Sequence, residues 1–230
     1  SAKREARARP LCDGIFADKN RPTTQKTRVI AHHQQVVRID RELVKPVSDQ
    51  LLKEVIQFIK DRLPEADALI IEDYGKGVIV PRLVKEIVRL AKKYNKIITV
   101  DPKETHFSYY QGVTTITPNH HEAGSAVGFA IKDDESLEKA GKKLLEKLHC
   151  ESVLITLGEN GMALFQKGKP LVKISTVAQE VFDVSGAGDT VISAYTLARA
   201  RKATALEAAH ISNCAAGIVV GKVGVAVTNQ

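Results

Sequence analysis

Between residues 49 and 157 the chain alternates two apolar patterns, and that alternation limits its possible folds more than any other feature. DQLLKEVIQFIKDRL (49–63) places Leu52, Val55, Ile56 and Ile59 at helical spacing. ALII (68–71) is then an apolar run of strand length. PRLVKEIVRLAKKY opens with Pro81, whose missing N–H costs little at the first helical position. IITV (97–100) and TTIT (114–117) read as strands, SLEKAGKKLLEKL (136–148) as an amphipathic helix and VLITL (153–157) as a fourth strand. Strands separated by helices long enough to cross over make βαβ units. The expected fold is therefore α/β, with a mainly parallel sheet covered by helices.

Ligands of such sheets gather at the carboxyl ends of the strands. The unusual residues fall there: EDYGKG after the first strand, DPK after the second, PNHHE after the third and LGENG after the fourth. Polar loops at equivalent ends also follow from the topology alone, so this pattern locates a site without identifying its chemistry. The chemistry is carried by residues 183–190, Asp-Val-Ser-Gly-Ala-Gly-Asp-Thr, and the helix-competent VISAYTLARA behind them. Gly186, Ala187 and Gly188 are small enough for an anion to approach the backbone closely, and a helix starting there aims free N–H groups and its positive dipole end at that anion. Asp189 then lies in the first turn, beside the anion. Phosphoryl transfer from ATP to an alcohol needs such donors and a carboxylate that takes the hydroxyl proton. The plainer alternative is a glycine-rich loop with an aspartate near a helix start, where aspartate is common anyway.

Ahead of residue 48 the pattern changes. TRVIA (27–31) and QQVVRID (34–40) are two strands joined by His32-His33 with no helix between them, which predicts an antiparallel hairpin, either a protruding flap or an edge of the main sheet. The formal charge is +7, but the only dense basic run is Lys3, Arg4, Arg7 and Arg9. With no tryptophan and no aromatic–basic interleaving, nucleic-acid binding is not expected. No apolar run reaches membrane-spanning length. Cys12, Cys150 and Cys214 form no CxxC pair and suggest neither a disulfide framework nor a zinc site, which fits a reducing cytoplasm.

The string DVSGAGDT resembles the signature of the ribokinase-like (PfkB) carbohydrate kinases. Further matches follow in family order: TPNHHE resembles the Asn-x-x-Glu motif, ITLGENG the nucleotide loop, and SNCAAGIVVGKVG the helix and loop beside the adenine. Within the family, RPTTQKTRVIAHHQQVVRIDRE, EDYGKG and DPK are similar to the D-glycero-β-D-manno-heptose 7-phosphate kinase group, which includes the kinase half of bifunctional ADP-heptose synthases. His33-Gln34-Gln35 stands where that group carries an asparagine. The resemblance spans about residues 10–228.

The resemblance implies a three-layer α/β/α fold, ATP and Mg²⁺ as cofactors, room for a monovalent cation, and a small sugar phosphate as substrate. Asp189 would be the general base and Gly186, Ala187 and Gly188 the anion hole. Asn119 and Glu122 would organise Mg²⁺ and its waters, although an Asn N-cap with Glu at N3 is also a capping-box pattern. Thr156, Gly158, Gly161 and Asn213 would line the nucleotide. Arg28, Lys76 and Lys103 could meet the substrate phosphate, or be solvated surface charges. Asp183 would brace the loop or help place a cation, and His120 and His121 read as surface histidines. The expected organisation is a basic segment (1–20), a hairpin flap (21–48) able to form a homodimer contact, and a nucleotide-binding core (49–230). The family's opening strand and Gly-Gly stretch have no counterpart before Arg21, so the chain is expected to bind ATP but to phosphorylate sugar poorly by itself. Alternatives are the same chemistry on ribose, fructose or a nucleoside, and a catalytically silent domain that binds nucleotide or sugar phosphate.

Overall fold

The computed structural model describes residues 12–31, 34–178 and 183–222. The basic run Lys3–Arg9, the His32-His33 connection and the end of the SNCAAGIVVGKVG segment from Val223 lie outside the described residues.

A hairpin of β1 (Gln25–Ala31) and β2 (Gln34–Arg41) comes first, followed by α1 (Asp49–Arg62), β3 (Ala68–Glu72), α2 (Pro81–Tyr94), β4 (Ile97–Asp101) and β5 (Thr115–Ile116). Then come α3 (His120–Val127), α4 (Asp134–Leu148), β6 (Ser152–Thr156), β7 (Met162–Gln166), β8 (Val172–Ile174), α5 (Ala187–Ala200) and α6 (Ala205–Val220). One six-stranded sheet runs β3-β4-β5-β6-β7-β8. Its first four strands are parallel, and β7 and β8 are antiparallel additions. The parallel sheet expected from the sequence is present, but it carries an antiparallel end that the periodicity did not reveal. β7 cannot run parallel to β6, because the turn Gly158–Asn160 is far too short for a crossover.

Strand alternation divides the core. On one face Ile71, Ile98, Val100, Ile116, Val153 and Ile155 pack with Leu83, Val84 and Ile87 of α2 and with Leu137, Ala140 and Leu144 of α4. On the other, Leu154, Leu164 and Ile174 pack with Val191 and Tyr195 of α5 and with Ala205, Ala208 and Ala209 of α6. Each fully buried branched side chain contributes roughly 1.5–3 kcal/mol relative to exposure. The α5 face also holds buried hydroxyls. Thr99 Oγ1 lies 2.6 Å from Thr196 Oγ1, Thr115 Oγ1 lies 2.8 Å from Ser152 Oγ, and that oxygen lies 3.2 Å from the Tyr195 hydroxyl.

The hairpin forms a separate two-stranded sheet, a flap rather than an edge of the main sheet. Its stem is fixed by Arg21, whose guanidinium donates to the carbonyls of Leu43, Lys45 and Lys76. Gly77, at φ +84°, lies so close to the Lys45 carbonyl that no side chain fits there, and its own carbonyl accepts from Val47 N–H at 2.9 Å. The hairpin base is thus tied to the loop after β3. Register pairs Lys26 with Asp40 and Arg28 with Arg38 on one face, and Thr27 with Ile39 and Val29 with Val37 on the other. Val36 is the extra residue of a bulge.

Candidate active site

Helix α5 begins where the glycines demand. Gly186 is the N-cap at φ +78°, a left-handed conformation that glycine adopts without cost. A Cβ at Gly188 would meet nothing within 4 Å, so the space in front of that peptide is open. Ala187 N–H donates to Val184 O at 3.2 Å, which engages one of the three donors expected to face an anion. Ser185 N–H donates to Asp183 Oδ1 at 2.9 Å, an arrangement that braces the loop before the helix.

Asp189, in the first turn, meets two carboxylates that the sequence reading had not singled out. Glu72 and Asp101 end β3 and β4, and the parallel register pairs them directly. Counting one oxygen from each, Glu72, Asp101 and Asp189 lie within 4.8 Å of one another. Burial, then the neighbouring Glu72, Glu122 and Asp189, push Asp101 up to about 8. Glu72 is also raised, first by burial and then by Asp189. Asp101 is therefore the member that stays protonated at neutral pH and donates to Glu72. The Tyr74 hydroxyl donates to Asp189 Oδ1 at 3.3 Å.

Asp73 organises the loops around this cluster. Its buried carboxylate accepts from Tyr110 O–H at 2.6 Å and from Gly75 N–H at 2.8 Å, and lies 2.8 Å from His106 Nδ1. Tyr110 also accepts from Lys103 N–H, so EDYGKG and DPK are held as one unit. The Lys103 stem runs along Gly75, and its charge reaches Glu122.

Asn119 and Glu122 form a complete capping box at the start of α3. Asn119 Oδ1 accepts from His121 and Glu122 N–H at 2.9 and 3.0 Å, while Glu122 Oε2 accepts from Asn119 N–H at 2.9 Å. Burial raises the Glu122 carboxyl above its usual range. With one oxygen of each side chain engaged, the pair suits a Mg²⁺ ion held through its waters, since that ion takes oxygen ligands and keeps part of its hydration shell. Thr156, at the carboxyl end of β6, bridges to Asn119. Gly158 (φ +61°) and Gly161 (φ +83°) shape the turn that follows, and a side chain at Gly161 would collide with the Ile174 carbonyl. Asn213 is buried in α6 and donates from Nδ2 to Ser175 O at 2.7 Å, fixing the strand exit after β8.

The substrate side is less uniform. A cavity of about 480 Å³ is lined by Thr24, Lys26, Glu72, Tyr74, Lys76 and Val78, among others. Lys76 lines it, but its ammonium is paired with Glu42. Arg28 stands two residues farther along the hairpin, opposite Arg38, and is not part of the cavity wall. Lys26 is, and its ammonium sits 5.8 Å from the centre of the Tyr74 ring. Sequence reading missed Lys26. Strand alternation from Arg28 would have placed it on the same face.

The pfkB family carbohydrate kinase model matches residues 10–230. The Bifunctional protein HldE of Desulfatibacillum aliphaticivorans is 47% identical over 218 residues, 95% of this chain and 45% of that protein. Its namesake from Helicobacter pylori is 42% identical over 216 residues, 94% of this chain and 46% of that protein. The chain thus spans under half the length of these relatives. Among solved structures, Arabidopsis thaliana ribokinase complexed with ribose and ATP superimposes with a TM-score of 0.70 at 22% identity, covering 90% of this chain and 65% of that one. Escherichia coli phosphofructokinase-2 in complex with potassium gives 0.69 at 16%, covering 82% and 62%. The structural likeness establishes a ribokinase-like fold, and the family match together with the relatives' identity shows that the chain belongs to the pfkB family of carbohydrate kinases.

Proposed function

We propose that the chain is the kinase part of an enzyme that moves the γ-phosphate of ATP onto a hydroxyl of a sugar phosphate, with Asp189 as the base. The observation that carries this reading is the position of Asp189 at the start of α5, one residue after the open Gly188 peptide and beside the cavity wall formed by Tyr74 and Glu72. The first-turn N–H groups of α5 would stabilise charge on the transferring group, and the carboxylate would take the hydroxyl proton. Mg²⁺, when bound, neutralises phosphate charge. Asn119 and Glu122 would hold its waters, while Thr156, Gly158 and Gly161 would shape the nucleotide loop. Asn213 would keep the neighbouring strand exit in place. A monovalent cation near the α5 loop is compatible with the same reading.

Heptose 7-phosphate is the proposed acceptor, giving heptose 1,7-bisphosphate on the route to ADP-heptose. Support comes from the EDYGKG, DPK and hairpin segments and from relatives named HldE. Arg28, Lys76 and Lys103 are the proposed cations for the substrate phosphate. The exposed apolar face of the hairpin, Val29, Val37 and Ile39, fits a second copy of the chain. The chemistry is tested in the full-length protein by ADP release across heptose 7-phosphate, ribose, fructose 6-phosphate and a nucleoside. Asp189→Asn is expected to lower kcat by roughly 10²–10⁴-fold while ATP affinity is kept. Near-wild-type turnover in that variant would remove Asp189 as the base, and preference for another sugar would remove heptose as the acceptor.

A further inference from the structure

We infer that Tyr74 is a positioning residue for Asp189, and that the hairpin acts on the base through it, by way of Lys26. This rests on Asp189 being the base. A carboxylate that must take a proton with one oxygen works best when its other oxygen is held. Among the described residues, Tyr74 O–H is the side-chain donor seen on Asp189, at Oδ1. Tyr74 belongs to the loop that Asp73 clamps from three directions, so its backbone is fixed although its ring is largely exposed. Burial and the carboxylates of Asp189, Glu72 and Asp101 hold its phenol in the protonated form, which is the form that donates.

The face of the ring carries the link to the flap. Lys26, on β1, places its ammonium 5.8 Å from the ring centre, and both side chains line the cavity that also contains Glu72. A cation beside an aromatic ring is attracted to it. Lys26 therefore holds the Tyr74 ring at the cavity wall, where its hydroxyl meets Asp189. The arrangement ties the alignment of the base to the placement of the hairpin at the cavity wall.

The test uses the full-length enzyme and four variants. Tyr74→Phe keeps the ring and removes the hydroxyl. It is expected to lower kcat roughly tenfold, as loss of a hydrogen bond to a charged group does, with both KM values within about twofold of wild type. Lys26→Met keeps the stem and removes the charge. It is expected to lower kcat about threefold when Tyr74 is present and by a clearly smaller factor in the Tyr74→Phe background. An unchanged kcat in Tyr74→Phe, or equal costs of Lys26→Met in both backgrounds, would overturn the inference. Asp189→Asn is measured alongside. If it abolishes turnover while Tyr74→Phe does nothing, the base stands and only the positioning role falls. If Asp189→Asn keeps turnover, the reading of the base itself has failed.

Discussion

Asp101 and Glu72 face each other because parallel register brings the last residues of two strands side by side, and α5 then closes over both. Holding three carboxyl groups together under partial burial costs free energy unless a proton is retained, and Asp101 retains it up to about 8. The sign follows from linkage. With its folded value above the ordinary carboxylate range, the folded state binds this proton more tightly than the unfolded chain. The contribution of this group to stability is fully present below the unfolded value and is lost as pH rises through about 8. Asp101→Asn should flatten that decline and make the protein more stable than wild type above pH 8, by on the order of 1–3 kcal/mol. Urea unfolding at two pH values measures it, and an equal slope in both proteins would argue against a buried proton. Asp189 was legible in the sequence because Gly186 and Gly188 announce a backbone that must turn and be approached. Glu72 and Asp101 were not, since each is an ordinary acid at a strand end until the register pairs them. Asn119 and Glu122 were legible twice over, as a motif and as a cap, and the structure displays the cap.

At the scale of elements, α1, α2, α4 and the strands of the parallel sheet could be read from apolar period and length alone, because their apolar residues recur at helical spacing or fill runs of strand length. β7 and β8 escaped because MALFQ and VKI are short runs with no amphipathic helix beside them, and strand identity there comes from pairing with β6. The hairpin was legible as two strands, and as a flap only by the absence of a helix. Its polar face makes a prediction of its own. Arg28 stands directly opposite Arg38, whose guanidinium pairs with Asp40 Oδ2 at 3.0 Å, and two cations side by side on this face favour a bound anion. Arg28→Ala should raise the KM for the sugar phosphate about tenfold and leave the KM for ATP nearly unchanged. Equal changes in both constants would mean that Arg28 supports the flap rather than the substrate.

For the whole molecule, the question is what covers the other face of that flap. Ile39 is 57% exposed, with Val37 and Val29 at 44% and 43% beside it on one face. A two-stranded sheet with a bare apolar side is marginal in water, so a self-complementary contact between two flaps would supply the missing layer. The wild-type full-length protein should sediment as a dimer, and the double variant Val37→Asp, Ile39→Lys as a monomer that keeps its helix content. An unchanged sedimentation coefficient would place the interface elsewhere. The hydroxyls between the sheet and α5 bear on a different matter. Greasy surfaces slide past one another at little cost, whereas Thr99 with Thr196 and Ser152 with Tyr195 fit at one setting only. A slip of a single residue would turn α5 by about 100° and move it about 1.5 Å along its axis, carrying Asp189 away from Glu72 and Asp101. The hydroxyls work like the teeth of a gauge: they index the helix, so that a reaction tolerant of very little misalignment starts from a fixed mark.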